Sequence, residues 1–259
     1  MFSPIARITT ISTNVFREVI RDRVLYLIAL YGIVLALAQR LLPEIAVATE
    51  SKILPDLGLA LMQVMGLMLA IFVGTNLVNK EIEKRTVLVL VAKPVSRTEF
   101  IFGKHLGLTG VLGVLVIIMT GIYLAVMTYA KVTFVVQDIA LNGLFLWLQL
   151  SLVTAIALLF GVFTGPILGI MMTFGVYLMG TLSRDMVTFA KLSKNPDLER
   201  AAGWLYLILP DMGRLDLKNQ VVYHLIPDKI SLLTSGVYGL LYIVLVLSLT
   251  SLIFSRREF

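Results

Sequence analysis

Six long apolar stretches restrict the fold of this chain more than any other feature of its sequence. They run roughly over residues 24–42, 57–78, 106–130, 139–163, 166–182 and 232–254. A helix that crosses a bilayer needs about 20 mostly apolar residues, and lipid tolerates no unpaired backbone groups, so each stretch is expected to cross as a helix. Charged residues make up 15% of the chain, well below the roughly 25% of a soluble domain. We therefore predict an all-α membrane protein with six transmembrane helices, folded as one domain over residues 1–259.

The distribution of Lys and Arg predicts the orientation in the membrane. The N-terminus, the loop at 79–104 and the C-terminus together hold twelve of these residues, whereas the two short loops on the opposite side hold three. Loops rich in Lys and Arg stay in the cytoplasm. Both termini and the 79–104 loop are therefore predicted to be cytoplasmic, and the segment 183–231 external. The net charge of +6 then reflects positions beside membrane helices, and no nucleic-acid partner is expected.

The first residues predict a helix that lies on the membrane instead of crossing it. Ser3 and Pro4 form a typical helix start, with Ser as the N-cap and Pro at the first helical position. Apolar side chains then recur on one helical face, at Ile5, Ile8, Ile11, Val15 and Val19. We predict an amphipathic elbow helix over residues 3–23, lying along the cytoplasmic surface.

The loop after the second span contains signals for a helix, a break and a second helix. Pro94 stops any helix that precedes it. Ser96 and Glu99 have the spacing of a capping box, so a new helix is expected to start there and continue into the third span. The acids Glu81 and Glu83 stand among Lys and Arg residues. Membrane orientation does not require these acids, so they favour a protein-docking surface over a merely solvated face.

The external segment 183–231 contains an apolar run that is too short to span. The run extends over residues 201–210, and runs of that length are typical of re-entrant or interfacial segments. Asn195 and Pro196 precede it as a good helix start. We predict a re-entrant gate on the outer side of the helix bundle, formed by Trp204, Leu205, Leu209 and Pro210.

The sequence offers no site for chemistry of its own. It has no Cys, its two His residues fall on opposite sides of the membrane in the predicted topology, and no metal-binding or catalytic motif occurs. The nucleotide-binding pattern G-x-x-x-x-G-K-[ST] is also missing. The chain is therefore predicted not to be an enzyme and to bind no cofactor or metal itself.

The interiors of the six predicted spans contain no Asp, Glu, Lys or Arg. Transporters driven by protons or ions usually place ionisable residues there, so any energy for transport is expected to come from outside the bilayer. A channel or a scaffold would show the same pattern. Met62, Met65 and Met68 could form a thioether path for Cu(I), but flexible packing is the simpler interpretation.

The residues around the 79–104 loop resemble a family signature. The patterns E-I-E-x-x-T, K-P-V-S-R-x-E-F and G-K follow the second span and are similar to those of ABC-2 type permeases, the membrane subunits of ATP-binding-cassette exporters. Within that family the chain most resembles the permeases linked with multicopper-enzyme maturation. The six-span pattern extends the resemblance over nearly the whole chain, and Arg85 stands where many members have Gly.

The resemblance implies a transport function and a set of partners. A permease of this kind exports a substrate across the cytoplasmic (inner) membrane of a prokaryote, forms a homodimer or pairs with a related permease, and contacts membrane lipids. It binds two ABC ATPase subunits, which hold ATP and Mg²⁺. The resemblance also implies a coupling helix in the loop and short re-entrant helices between spans five and six. The predicted coupling residues are Glu81, Glu83, Lys84, Arg85, Thr86, Leu88, Pro94 and Arg97. The alternative is a membrane scaffold or maturation component that transports nothing.

Overall fold

The computed structural model describes residues 3–45, 50–83, 96–193 and 195–256, and all regular secondary structure in these ranges is helical. The α-helices, in chain order, are α1 (Pro4–Val19), α2 (Leu25–Ile45), α3 (Glu50–Glu83), α4 (Arg97–Tyr129), α5 (Val136–Phe163), α6 (Pro166–Leu192), α7 (Pro196–Ile208), α8 (Lys218–Val222) and α9 (Lys229–Arg256). A short π-helix, Ile20–Val24, joins α1 to α2, and a 3-10 turn, Met212–Arg214, lies between α7 and α8.

Six of the described helices are long and apolar enough to cross a membrane: α2, α3, α4, α5, α6 and α9. This confirms the prediction of an all-α protein with six transmembrane helices. Several helices are longer than the apolar stretches that predicted them. Helix α3 has 34 residues, and α6 continues to Leu192, ten residues past the predicted end of its span at 182. The first part of the 183–231 segment is therefore a continuation of α6.

The start of α4 has the predicted capping geometry. The Ser96 hydroxyl accepts a hydrogen bond from the Glu99 backbone N–H at 3.1 Å, and the Glu99 carboxylate accepts one from the Ser96 N–H at 3.0 Å. Both bonds satisfy N–H groups that the start of a helix leaves unpaired. The capping box therefore fixes where α4 begins, ahead of the apolar stretch that starts near residue 106.

Helix α5 forms the centre of the bundle. The part of α5 that can span the membrane is 83% buried, and the helix packs against α3, α4, α6 and α9. The corresponding part of α2 is only 11% buried, and that of α6 is 28% buried. Apolar side chains on α2 and α6 thus face away from the chain, toward lipid or another subunit.

Helix α1 packs against α4 because two glycines on α4 leave room for it. A Cβ atom added at Gly107 would lie 2.7 Å from the Ser12 carbonyl oxygen and 2.7 Å from Val15 Cβ. One turn earlier, a Cβ atom at Gly103 would lie 2.8 Å from Ile11 Cβ. Glycine therefore permits a contact that any side chain would prevent. A helix forms within the predicted elbow region 3–23 and packs against α4, while its role as an elbow helix and its placement on the membrane surface stay predictions.

Consecutive spanning helices run in opposite directions, so two groups of residues mark the ends of the bundle. The Glu99 end contains α1, the end of α3, the start of α4 and the end of α9. The Asp211 end contains the last turns of α6, helix α7 and the segment that follows α7.

Candidate functional site

Arg7 and Glu99 join α1 to α4 at the Glu99 end. The Arg7 guanidinium donates two hydrogen bonds to the Glu99 carboxylate, from Nη2 to Oε1 at 2.7 Å and from Nε to Oε2 at 3.1 Å. This bidentate geometry matches the planar shapes of both groups, and the hydrogen bonding to Glu99 raises the pKa of Arg7. Because Glu99 also caps α4, one carboxylate fixes both the start of α4 and the position of α1.

Glu81 and Lys104 join the end of α3 to α4. Lys104 Nζ lies 2.5 Å from Glu81 Oε1, and the lysine side chain is 8% exposed. The same ammonium group lies 5.3 Å from the centre of the Phe100 ring. A buried ammonium group is stable only with a partner, so this pair holds the last turn of α3 beside α4.

Arg97 joins the end of α9 to the first turn of α4. Its Nη1 donates hydrogen bonds to the carbonyl oxygens of Phe254 and Ser255, at 2.7 and 2.8 Å. Carbonyl groups in the last turn of a helix have no partner within the helix, and a cation there also suits the helix dipole. The Phe100 and Phe254 rings stack beside this contact, with their centroids 5.7 Å apart.

The first turns of α4 thus bind three other helices. We call this arrangement the α4 junction: residues Arg97 to Lys104 together with their contacts to α1, α3 and α9. Each contact is an ion pair or a hydrogen bond between two helices, so the first turns of α4 are attached to α1, α3 and α9 at once.

Two of the predicted coupling residues, Glu81 and Arg97, lie in the α4 junction, and both bond within the chain. Glu83 is the last residue of α3. The other predicted coupling residues lie outside the described residues: Lys84, Arg85, Thr86, Leu88 and Pro94. The two ion pairs of the junction leave no signal in the sequence, because their partners are 92 and 23 residues apart.

A second polar cluster lies inside the bundle, among the spanning helices. Gln63 Nε2 on α3 is within hydrogen-bond distance of Gln149 Oε1 on α5 at 3.2 Å, Tyr177 Oη on α6 at 3.3 Å, and Asp216 Oδ2 at 3.0 Å. Gln149 Nε2 in turn donates to the Met212 carbonyl oxygen at 3.1 Å. Gln149 lies 13 residues after Val136 and 14 before Phe163, the two ends of α5. The cluster is therefore near mid-height in the bundle.

Residues 210–217, which we call the inserted segment, enter the bundle and bring Asp216 to this depth. The Met212 side chain is completely buried. The segment passes close to α6 at Gly180, where an added Cβ atom would collide with the Pro210 carbonyl oxygen. Glycine at this position therefore allows the segment to lie against α6.

The predicted gate residues divide between the inserted segment and the helix before it. Pro210 is buried, whereas Trp204 on α7 is 67% exposed, and Leu205 and Leu209 are half-buried. The inserted segment thus begins at Pro210, the last of the four predicted gate residues. Their role as a gate stays a prediction. The sequence signal for the inserted segment was Gln63 and Gln149, which lie inside predicted spans. Amide groups in apolar helices need hydrogen-bond partners.

Asp211 anchors the inserted segment toward the end of the bundle. Its carboxylate is 3% exposed, and Oδ2 accepts hydrogen bonds from Arg184, Tyr206 and Arg214 at 3.0–3.2 Å. The Asp211 backbone N–H donates to Tyr238 Oη on α9 at 2.7 Å. Hydrogen bonds to Tyr206 and Asp211 raise the pKa of Arg214. These contacts attach the segment to α6, α7 and α9.

The described part of the chain contains no group of three or more His, Asp or Glu residues that could hold a metal ion. The methionines of α3 do not form a continuous path either. Met62 and Met65 are buried, while Met68 is 52% exposed. The three thioethers do not share one environment, which favours a role in packing.

In a comparison with protein families, a family model described as "ABC-2 family transporter protein" matches residues 9–259. The match covers nearly the whole chain, including residues 97–104 of the α4 junction and the inserted segment. Among curated proteins, no match was found.

Proposed function

This chain belongs to the ABC-2 transporter family, and from that premise we propose that it is the permease subunit of an ATP-binding-cassette exporter. The family and the six spanning helices make it a multi-pass membrane component of transport. In the proposed complex, partner ABC ATPase subunits bind ATP with Mg²⁺ and hydrolyse it. The complex moves its substrate outward across the cytoplasmic membrane of a prokaryote, with both termini of this chain in the cytoplasm.

One observation supports the proposed coupling most directly: residues at both ends of the predicted coupling loop, 79–104, are bonded to other helices of the bundle. At one end, Glu81 binds Lys104, and α3 stops two residues later. At the other end, Ser96 caps α4. Rigid attachment on both sides is what such a loop needs. Pressure from an ATPase then displaces helices instead of bending the loop.

We expect closure of the ATPase subunits to press on the loop and on α1. The Glu81–Lys104 and Arg7–Glu99 pairs would pass this displacement to α4, and Arg97 would pass it to α9. Helix α5 would stay in place as the buried core. The displacement would reach the Asp211 end, where the inserted segment would move together with the spanning helices as the path between two permeases opens.

Pairing with a second permease, identical or related, is the proposed use of the exposed apolar faces of α2 and α6. Both helices leave most of their spanning length uncovered by the chain itself. A substrate path between two such permeases would have a largely apolar lining, which suits a lipidic or amphipathic substrate. A link with multicopper-enzyme maturation stays a prediction from the sequence resemblance.

Co-purification with an ABC ATPase tests the proposal. We expect an ABC ATPase from the same source to co-purify with it, and we expect the reconstituted pair to hydrolyse ATP faster than the ATPase alone. Leu88→Asp should weaken the association about 30-fold, a cost of about 2 kcal/mol, because it places a charge in the expected apolar contact.

Leu198→Asp is the matched control, since Leu198 is 53% exposed on α7 at the other end of the bundle. It should leave association and turnover unchanged. Wild-type binding and turnover by Leu88→Asp would show that the loop is only a solvated segment. A permease that recruits no ATPase would favour the alternative of a membrane scaffold.

A further inference from the structure

Helices α5 and α9 leave a crevice between them on the outside of the bundle. The two helices pack closely at Gly239, where an added Cβ atom would lie 3.0 Å from Leu148 Cδ2. Between that contact and the start of α9, the helices are separated by an open, elongated space. The proposed transport cycle assigns no role to this space, although Leu215 of the inserted segment lies at its closed end, 3.2 Å from a Cβ atom added at Gly239.

The crevice is apolar along its length and basic at one end. Leu144, Leu233 and Val237 line it and are 47–69% exposed, so it opens away from the bundle toward the membrane. Lys229 is the one charged residue among the described residues that line it. Lys229 is the first residue of α9, so it lies at the end of a spanning helix, where the bilayer surface is expected.

The lining of the crevice suits a phospholipid. Its apolar length matches an acyl chain, and its basic end matches an anionic headgroup carried on the same molecule. The space along it, counted out to the open mouth, is about 980 Å³.

Lys229 is available to an anionic group. Among the described residues, no carboxylate forms an ion pair with its ammonium group. The neighbouring carboxylate of Asp228 accepts hydrogen bonds from the Ser231 hydroxyl and backbone N–H instead. We propose that the crevice binds a phospholipid of the bilayer, with one acyl chain between α5 and α9 and an anionic headgroup at Lys229.

The chain contains a built-in reporter for this site. Trp147 lines the crevice, and the chain has only one other tryptophan, Trp204. In a Trp204→Phe background, Trp147 is the sole tryptophan, and a brominated acyl chain that enters the crevice quenches its fluorescence. The full chain is reconstituted in vesicles that contain either brominated phosphatidylglycerol or brominated phosphatidylcholine at equal mole fraction.

We expect phosphatidylglycerol to associate about fivefold more strongly than phosphatidylcholine, which is the preference that one lysine near the surface gives for an anionic lipid. Lys229→Gln should reduce this ratio to about one. Lys191→Gln, an exposed lysine in the last turn of α6 at the same end of the bundle, should leave it unchanged.

Equal quenching by both lipids in the Trp204→Phe protein would overturn the proposal, as would a preference that survives Lys229→Gln. Quenching by neither lipid would show that protein, such as a second copy of this chain, fills the crevice, and would also overturn it. These outcomes do not depend on the ATPase. They are therefore separate from success or failure of the proposed export function.

Discussion

At the scale of single residues, several charged side chains of the Glu99 end bond within the chain. Lys104 is the clearest case, because its ammonium group is nearly buried between the Glu81 carboxylate and the Phe100 ring. Glu81 was predicted from the sequence as a contact for an ATPase. The ion pair gives it a structural role as well, so a change at Glu81 affects the permease before any partner binds.

Glu81→Gln should therefore lower the free energy of unfolding by about 2 kcal/mol, because it leaves the buried ammonium group of Lys104 without its charged partner. Thermal unfolding in detergent measures the effect. Lys80→Gln, at the exposed neighbouring position, is the control and should change little. Adding Lys104→Met to Glu81→Gln should restore part of the loss, since the unpaired charge is then removed. Equal stability of Glu81→Gln and Lys80→Gln would contradict the role of the pair.

Gln149 connects Gln63 of the inner polar cluster to the Met212 carbonyl oxygen of the inserted segment. Gln149→Leu removes the donor to the Met212 carbonyl oxygen and one acceptor of Gln63, and it should cost about 1–3 kcal/mol because these buried groups lose a partner. Gln137→Leu on the exposed start of the same helix is the matched control. The same unfolding measurement distinguishes the two variants. No difference between them would mean that the inserted segment is not held by this hydrogen bond.

At the scale of helices, the contact between α1 and α4 depends on the lack of side chains at the α4 glycines. Gly107→Ala should destabilise the protein, since overpacking costs about 1–3 kcal/mol and exceeds the gain in helix propensity. Gly121→Ala on the same helix meets nothing within 4 Å and should stabilise it by up to about 1 kcal/mol. The shift in unfolding temperature of each variant relative to the wild type measures the effect. Identical shifts would show that α1 does not press on α4.

The spans and caps of this fold were predictable because their causes are local. An uncharged stretch of sufficient length specifies a spanning helix, and Ser96 with Glu99 specifies the start of α4 through bonds only three residues apart. The inserted segment was not predictable in the same way. Its burial depends on Gly180 of α6 and on Gln63 and Gln149, which are distant in sequence. The short apolar run that suggested a re-entrant element lies mostly before the segment that enters the bundle.

At the scale of the whole molecule, the two ends of the bundle should face opposite sides of the membrane. The bias of Lys and Arg predicts that the Glu99 end is cytoplasmic. The chain has no Cys, so Thr10→Cys on α1 and Glu199→Cys on α7, both at exposed positions, each provide one reporter thiol. An impermeant thiol reagent added to intact cells should label Glu199→Cys and spare Thr10→Cys. The reverse pattern would invert the proposed topology and with it the direction of transport.

The α4 junction also has a consequence for the order in which the protein is built. Arg97 and its acceptor at Phe254 are 157 residues apart. At about 5–20 residues per second, a ribosome needs about 8–30 s to add the residues between them. During that interval α1, α3 and α4 can already join, but Arg97 has no carbonyl groups of α9 to bind. The surface beside the coupling loop is therefore completed only after α9 has been translated, and a shorter nascent chain without α9 does not present it in this form.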